Sequence, residues 1–329
     1  MSADDTRRRA LAAWVAARLG EADAVLVPVS VDASFRRYFR VRHAGGTLIA
    51  VDSPPDSEDP RPFLRVAALM REAGLHVPAV HAEDAGHGFL LLEDLGTETY
   101  LDALDDDNAD RLFGDAIAAL IDWQAASRPG VLPEYDAALL RRELELFPDW
   151  FLGRHLGVVP DEAERARLAT VFDTLVDWAL AQPRVYVHRD FMPRNLMVSE
   201  PNPGVIDFQD AVHGPIAYDI LCLFKDAFLS WPEARVEAWL RDYRERARDR
   251  GLPVPAGFDE FRAMVDRIGI QRHLKVLGIF ARIRHRDGKP HYLEDAPRFV
   301  GYVRDAAARL PEMAPLAGLF ERHVVDRLA

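Results

Sequence analysis

The spacing of hydrophobic positions changes along the chain and predicts two regions of different structure. Within the first 95 residues apolar side chains recur in short runs, and between positions 34 and 42 they alternate with arginines, which is typical of a β-strand. The predicted strands cover residues 25–30, 34–42, 47–51, 77–81 and 89–92, and the predicted helices cover 6–19 and about 63–73. We therefore expect a small lobe built on a largely antiparallel sheet.

Helical periodicity dominates the remainder of the chain. The predicted helices cover residues 109–126, 136–155, 161–181, 214–230, 233–249, 258–285 and 295–309. Strand signals in this half occur only between about positions 185 and 206. We therefore predict an α+β protein of two lobes that meet near Leu95, with a smaller antiparallel-sheet lobe at residues 1–95 and a larger helical lobe at residues 96–329.

Composition and charge narrow the classes of function. The chain has 329 residues, of which 49% are hydrophobic and 29% charged, as expected for a globular protein with an ample core. The net charge of −12 argues against nucleic acid or an anionic membrane as the main partner. The single cysteine, Cys222, excludes an internal disulfide, fits a reducing compartment and lies in an apolar run, where we expect it to be buried.

The sequence carries no signal for a membrane protein or a secreted one. No apolar run approaches the roughly 20 residues that a membrane-spanning helix needs. The arginines at positions 7–9 are not followed by the apolar core of a signal peptide. We therefore expect a cytoplasmic protein, and we predict that it is a monomer.

The most informative segment is residues 185–210. His188, Arg189 and Asp190 follow a hydrophobic strand, and Asn195 comes five positions after Asp190, which is the catalytic-loop spacing of protein kinases. Two short apolar runs at 196–198 and 204–206, joined by a polar, proline-containing turn, then predict a hairpin. Such a hairpin would return Asp207 to the neighbourhood of the first two polar residues.

Phosphoryl transfer is the chemistry that needs this set of side chains. The reaction requires a positioned nucleophile and a divalent metal that spreads the charge of the transferring group. Asp190 is expected to accept the proton of the attacking hydroxyl, while Asn195 and Asp207 offer the oxygen ligands that Mg²⁺ prefers. Each residue alone could be a loop cap or a turn residue, but their occurrence together and in this order favours catalysis.

The segments HRDFMPRN, IDFQDAVHGP, YDI and LLLEDL occur in the order found in aminoglycoside phosphotransferases and choline kinases, and the chain resembles that family over nearly its whole length. The resemblance implies a protein-kinase-like fold, with ATP and magnesium as cofactors and ATP bound mainly by the N-terminal lobe. The strings RRYFR, FQDAVHGPIAYDILCLFKDAFLSWP and IQRHLKVLGIFARI are similar to bacterial kinases of peptidoglycan sugar recycling. That narrower resemblance implies phosphorylation of the anomeric (C1) hydroxyl of N-acetylmuramate and N-acetylglucosamine.

The predicted nucleotide site departs from the protein-kinase pattern. The Gly-rich phosphate loop is absent, and the strand over residues 47–51 lacks the lysine that pairs with phosphates; the lysines of the chain are Lys225, Lys275 and Lys289. Candidate ATP-binding residues are therefore Ser34, Arg36 and Arg37, with Arg40 as a further cation, together with Glu93 and Leu95 in the segment between the lobes. Arginine pairs phosphate bidentately, although a solvated basic strand face explains any one of these arginines equally well.

Polar residues within apolar stretches of the second lobe are candidates for binding the acceptor next to Asp190. They are His213, Lys225, Asp226 and Arg282, with Arg272 and His273 nearby in sequence. Lys225 or Arg282 could meet a lactyl carboxylate, or each could belong to a structural ion pair. We interpret Arg189 as a structural, salt-bridged residue. The resemblance also implies that Asp219 braces the catalytic loop.

Two other functions compete with the amino-sugar kinase. One is a kinase for a cationic acceptor such as an aminoglycoside or choline, whose pocket should be acidic and aromatic. The other is a non-catalytic nucleotide-binding protein, suggested by the missing lysine and glycine loop but disfavoured by Asp190, Asn195 and Asp207. A protein kinase is disfavoured because no Ala-Pro-Glu sequence follows Asp207. The segment Asp207-Phe208-Gln209 ends in Gln, where the family pattern has an acidic residue or Gly that bears on a second metal site.

Overall fold

The computed structural model describes residues 3–30 and 36–328. Its strands are β1 Val27–Ser30, β2 Arg37–His43, β3 Gly46–Asp52, β4 Val80–Asp84, β5 Phe89–Glu93, β6 Arg184–Val187, β7 Leu196–Met197, β8 Gly204–Val205 and β9 Val212–Pro215. Its helices are α1 Ala3–Leu19, α2 Arg61–Glu72, α3 Tyr100–Ala103, α4 Ala109–Ala125, α5 Ala137–Leu144, α6 Glu162–Ala181, α7 Tyr218–Phe224, α8 Glu233–Asp249, α9 Phe258–Asp287, α10 Ala296–Arg309, α11 Ala314–His323 and α12 Val325–Leu328. A π-helix covers Phe147–His155, and 3-10 turns cover Pro193–Asn195, Pro290–Asp295 and Pro311–Met313.

The chain packs as two compact units. The first contains the residues up to Ala119 together with Pro193–Asp210, and the second contains Leu120–Met192 and Ala211–Ala329. The hairpin after the catalytic loop therefore packs with the N-terminal residues. The boundary between two lobes near Leu95 stays a prediction.

The sheet of the first unit has the strand order β1-β2-β3-β5-β4, and every neighbouring pair within it is antiparallel. One face of the sheet is covered by α1, whose Leu11 and Val15 pack against Phe39, Val41 and Ala50. Alternate positions of β2 and β3 supply these apolar contacts, as the period-two pattern predicts. The predicted antiparallel sheet is confirmed.

Three strands of the described structure begin later than predicted, and the first of them, expected from position 25, begins at Val27. The strand expected over 77–81 begins only at Val80, because Pro78 has no N–H to donate to a neighbouring strand. The strand expected from position 34 begins at Arg37 in the described part of the chain, and positions 34 and 35 lie outside the described residues.

The second unit is mainly helical and is organised around the long helix α9. Most of α9 between Phe261 and Ile283 is buried, and α9 packs against α5, α6, α7, α8 and α10. Strands β6 and β9 form a two-stranded antiparallel pair, and β9 packs against α6. Cys222 on α7 is fully buried, as predicted. Within the described residues, no helix has both the length and the apolar character required to cross a bilayer.

Two predicted helices of this unit are wrong in extent. The helix expected over 136–155 ends at Leu144 and continues as a π-helix, since Pro148 cannot donate a hydrogen bond to the carbonyl of Leu144. The helix expected over 214–230 is reduced to α7. Residues 212–215 form β9, and Asp226 accepts hydrogen bonds from two backbone N–H groups just after the helix.

Candidate active site

The catalytic loop follows β6, and a carboxylate on α7 holds its backbone through hydrogen bonds. Asp219 is fully buried and accepts hydrogen bonds from the backbone N–H of His188 at 2.6 Å and of Arg189 at 3.0 Å. Burial raises the pKa of Asp219 to about 7, although the two N–H donors oppose this shift by favouring the carboxylate. The predicted bracing role of Asp219 is confirmed by these two bonds.

Arg189 has a structural ion pair, as interpreted from the sequence. Its guanidinium donates to Glu143 on α5 and lies over the ring of Tyr135 at 5.5 Å. Glu143 is itself buried and accepts further hydrogen bonds from the hydroxyl of Tyr135, from Lys275 and from Gln271. The backbone of Arg189 has φ of 79°, which non-glycine residues seldom adopt, so this network holds the loop in a strained conformation.

The carboxylate of Asp190 follows directly and is 45% exposed. Arg272 on α9 approaches it, with Nη2 4.0 Å from Oδ1. Desolvation raises the pKa of Asp190, but the positive charges of Lys275, Arg272 and Arg189 outweigh that effect and leave the pKa below its ordinary value. Asp190 is therefore ionised at neutral pH, which is the protonation state that a general base requires.

Asn195 and Asp207 belong to the first unit, where the β7–β8 hairpin sets their spacing. Asn195 ends a 3-10 turn just before β7, and its carbonyl accepts a hydrogen bond of 3.1 Å from the N–H of Ile206. Asp207 follows with φ of 63°, and Gln209 donates to its Oδ1 at 2.9 Å. Arg189 and Asp207 are the two non-glycine residues with positive φ in the described part of the chain.

Asn195 and Asp207 fit a magnesium ion. An amide oxygen and a carboxylate are hard oxygen donors, and the backbone hydrogen bond beside them fixes their register. Across residues 3–30 and 36–328 there is no group of three or more His, Cys, Asp or Glu side chains that could hold a metal by itself. Magnesium is usually held by one or two protein groups together with phosphates and water, and the assignment of Asn195 and Asp207 as its ligands stays a prediction.

The arginines predicted to bind ATP have carboxylate partners of their own. Arg36 pairs with Glu58 at 2.8 Å. The guanidinium of Arg37 pairs with Asp52, which is fully buried at the end of β3 and also accepts from Arg7 at 2.5 Å. Asp52 therefore balances two arginines, and the role of Arg36 and Arg37 towards ATP stays a prediction.

The remaining nucleotide candidates lie beside or after β5. Arg40 pairs with Asp94 at 2.6 Å and donates to the carbonyl of Gly96 at 2.8 Å, which ties β2 to the segment that follows β5. Glu93 exchanges backbone and side-chain hydrogen bonds with Ala79. Leu95 is buried against Gly204, where a Cβ would approach its Cδ1 to 2.8 Å. The candidate Ser34 lies outside the described residues.

Two of the predicted acceptor residues, His213 and Lys225, have carboxylate partners of their own. His213 on β9 is buried and bonded to Glu134, with Nδ1 3.1 Å from Oε1. Lys225 pairs with Glu233 at 2.9 Å, as expected for a structural ion pair. Arg282 lies ten residues after Arg272 on α9, which is roughly 15 Å along the helix axis. Arg282 is therefore not placed beside Asp190.

Asp226 occupies the turn after α7. Its Oδ1 accepts from the backbone N–H of Phe228 at 2.7 Å and of Leu229 at 2.9 Å, while its Oδ2 is buried without a hydrogen-bond partner in the described structure. No role for Glu143, Gln271 or Lys275 was predicted from the sequence. The signal available for them was a charged or amide side chain within an otherwise apolar helical run, a signal shared by many structural residues.

An antiparallel N-terminal sheet, a helical remainder and a braced His-Arg-Asp loop followed by Asn and a hairpin-borne Asp define a phosphotransferase with a protein-kinase-like fold. The solved structure of choline kinase LicA from Streptococcus pneumoniae is similar, with a TM-score of 0.62 and 14% identity, over 91% of this chain and 99% of that one. The ADP-bound aminoglycoside phosphotransferase APH(2'')-Ib gives a TM-score of 0.61 and 14% identity, over 89% and 97% of the two chains. At these identities the likeness concerns the fold alone.

The sequence comparisons are more specific. The model of the phosphotransferase enzyme family (APH) matches residues 25–263, and the chain belongs to that family. A Pseudomonas aeruginosa protein described as "N-acetylmuramate/N-acetylglucosamine kinase" is 56% identical over 96% of each chain. A Neisseria meningitidis protein with the same description is 44% identical over 95% of each chain. The predictions of family, of fold class and of a phosphotransferase that uses ATP are confirmed.

Proposed function

We propose that the protein is an ATP-dependent sugar kinase that phosphorylates the anomeric hydroxyl of N-acetylmuramate and N-acetylglucosamine. The observation that carries the proposal is the 56% identity, over 96% of both chains, to a protein described as a kinase for these two sugars. Reaction at C1 is part of this proposal. It is supported by a half-exposed, ionised Asp190, since an anomeric hydroxyl is more acidic than an ordinary alcohol and asks little of its base.

In the proposed reaction Asp190 orients the C1 hydroxyl and takes its proton. The hydroxyl oxygen forms a bond to the γ-phosphorus of ATP as the bond from that phosphorus to the β,γ-bridging oxygen breaks, so ADP leaves and the proton passes from Asp190 to solvent. The bond between Arg189 and Glu143 and the two bonds to Asp219 keep the base in place during the transfer.

Asn195 and Asp207 are the side chains that would hold magnesium. Bound magnesium would neutralise charge on the phosphates during transfer. The contribution of the chain is to keep the two oxygen donors in fixed register, which the hydrogen bond from Ile206 to Asn195 supports. Ser34, Arg36, Arg37, Glu93 and Leu95 remain our candidates for binding ATP.

The charges around Asp190 favour a neutral or anionic acceptor. Arg272, Lys275 and Arg189 all lower the pKa of Asp190 through their positive charge. A cationic acceptor such as choline or an aminoglycoside would be repelled by the same three groups. We therefore do not expect the acceptor of this protein to be a cation such as choline or an aminoglycoside.

Other parts of the proposal extend the sequence predictions. Lys225, Asp226, His213 and Arg282 remain acceptor-binding candidates, with Lys225 positioned to meet a lactyl carboxylate only if it leaves Glu233. A role in peptidoglycan sugar recycling, a cytoplasmic location and a monomeric state are likewise proposed.

The proposal is tested by incubating the protein with ATP, magnesium and either sugar and following the products by phosphorus NMR. We expect a sugar 1-phosphate and loss of the reducing end with both sugars. Choline and an aminoglycoside serve as comparison acceptors under the same conditions. Turnover of the cations with no product from either amino sugar would refute the proposal, and a phosphate at C6 would refute its regiochemistry.

A further inference from the structure

A buried arginine on α9 lacks the partners that its charge requires. Arg272 is 3% exposed, its Nη1 has no hydrogen-bond partner in the described part of the chain, and its nearest carboxylate contact is the loose 4.0 Å approach of Nη2 to Asp190. A buried guanidinium that is incompletely paired is costly. A ligand that completes the set of hydrogen bonds would account for such an arrangement.

A carboxylate with an unpartnered oxygen and a buried imidazole ring lie near Arg272. Asp226 is 1% exposed and has a buried, unpartnered Oδ2, and the charges of Asp226 and Arg272 influence each other's pKa. The ring of His273 is also buried, and it lies 5.4 Å from the ring of Phe299 and 5.1 Å from that of Tyr302. The helix α9 and its neighbours thus contribute a hydrogen-bond donor and a hydrogen-bond acceptor that have no partner in the described structure, together with a cluster of aromatic rings.

We propose that Arg272 and Asp226 bind the N-acetyl group of the acceptor sugar and make the enzyme specific for 2-acetamido sugars. The amide carbonyl accepts from Arg272, the amide N–H donates to Oδ2 of Asp226, and the methyl group packs against the aromatic rings beside His273. This inference rests on the proposed function and adds to it the group by which the two sugars are recognised.

The proposal agrees with the chemistry of the two sugars. N-Acetylmuramate and N-acetylglucosamine differ at C3 but carry the same acetamido group at C2, next to the reacting carbon. A group bound to Arg272 lies beside the hydroxyl whose proton the base accepts, because Nη2 is 4.0 Å from the carboxylate of Asp190. Both unpartnered atoms are covered by protein, so binding requires movement, and the partly exposed residues 228–231 after Asp226 are the segment suited to it.

The first test uses the unaltered enzyme. We expect kcat/KM for glucose, which lacks the acetamido group, to be lower than that for N-acetylglucosamine by about 100-fold or more, because the site's polar groups would stay unpaired. Comparable values for the two sugars would overturn this inference and leave the proposed function intact. Failure of both amino sugars to react would overturn the proposed function and this inference together.

The second test separates recognition from support of the base. Asp226→Asn should lower kcat/KM for N-acetylglucosamine by about 30-fold or more while changing the low rate with glucose by less than about threefold. Arg272→Lys keeps a positive charge near Asp190, and it should lower kcat/KM for N-acetylglucosamine about 10-fold more than that for glucose. An equal loss with both sugars would show that the residue acts only on Asp190 or on folding. Arg267→Lys, on the same helix but stacked on Trp178, is the matched control. Thermal unfolding of each variant is recorded, and if Arg272→Lys does not fold, Asp226→Asn decides.

Discussion

Strand β2 and the middle of α9 both carry arginines, but the guanidinium groups of the two elements differ in how closely they pair with carboxylates. In β2 the guanidinium groups have carboxylate partners at short range: Arg37 pairs with Asp52, and Arg40 pairs with Asp94 at 2.6 Å. On α9, Arg272 is more deeply buried but reaches its nearest carboxylate only at 4.0 Å. The less buried cations are thus the better paired.

This difference is informative because desolvation should produce the opposite order. Burying an unpaired guanidinium costs more than exposing it, so a buried cation selected for stability alone would be closely paired. The pairs of β2 are explained as parts of a scaffold that links neighbouring elements. We attribute the incomplete pairing of Arg272 to the acceptor binding proposed above. The contrast therefore directs catalytic and acceptor-binding hypotheses to α9 and the loop beside it.

The largest expected effect is the loss of the base. Asp190→Asn keeps the shape of the side chain and removes its ability to accept a proton, so kcat should fall about 10²- to 10⁴-fold. Binding of ATP, measured calorimetrically, should be little changed, since ATP is bound mainly by other residues. The exposed Asp177→Asn on α6 is the control and should retain full activity. Activity of Asp190→Asn at the level of the control would remove the centre of the proposed mechanism.

The next effect concerns the network that supports the loop. Glu143→Gln removes the negative charge that Arg189 and Lys275 share, which leaves the partly buried Arg189 and the buried Lys275 without this counter-charge. We expect a loss of about 3 kcal/mol in the free energy of unfolding, measured with urea, and a parallel fall in kcat as Asp190 loses its fixed position. Glu145→Gln is the matched control, because Glu145 is exposed at the end of the same helix. A stable but equally active Glu143→Gln protein would show that the network does not position the base.

Local features of the sequence were sufficient to predict the sheet and the catalytic segment. The alternation of Phe39 and Val41 with arginines needs only the period of a strand, and the β7–β8 hairpin is encoded by two apolar runs and a proline-containing turn. Prolines set the errors in extent. Pro148 converts the second half of one predicted helix into a π-helix, and Pro78 delays β4.

The partners of charged residues could not be predicted in the same way. Asp52 with Arg7, and Glu143 with Lys275, are separated by 45 and by more than 100 positions, so their pairing depends on the tertiary fold. Without an observed partner, a buried charge and a ligand-binding charge give the same pattern in the sequence. For this reason the sequence did not separate Arg272 from the other polar residues of the helical part. Its incomplete pairing in the structure does.

The smallest expected effect tests the paired side of the contrast. Arg37→Gln removes a phosphate-binding candidate but also one of the two arginines that balance Asp52. If Arg37 contacts ATP, the KM for ATP should rise about fivefold, equivalent to about 1 kcal/mol, with kcat for the sugar nearly unchanged. Arg61→Gln, whose exposed guanidinium pairs only locally with Asp59, controls for the loss of a surface charge. A lower melting temperature with an unaltered KM for ATP would assign Arg37 to the scaffold and transfer the phosphate-binding prediction to Arg36 or Arg40.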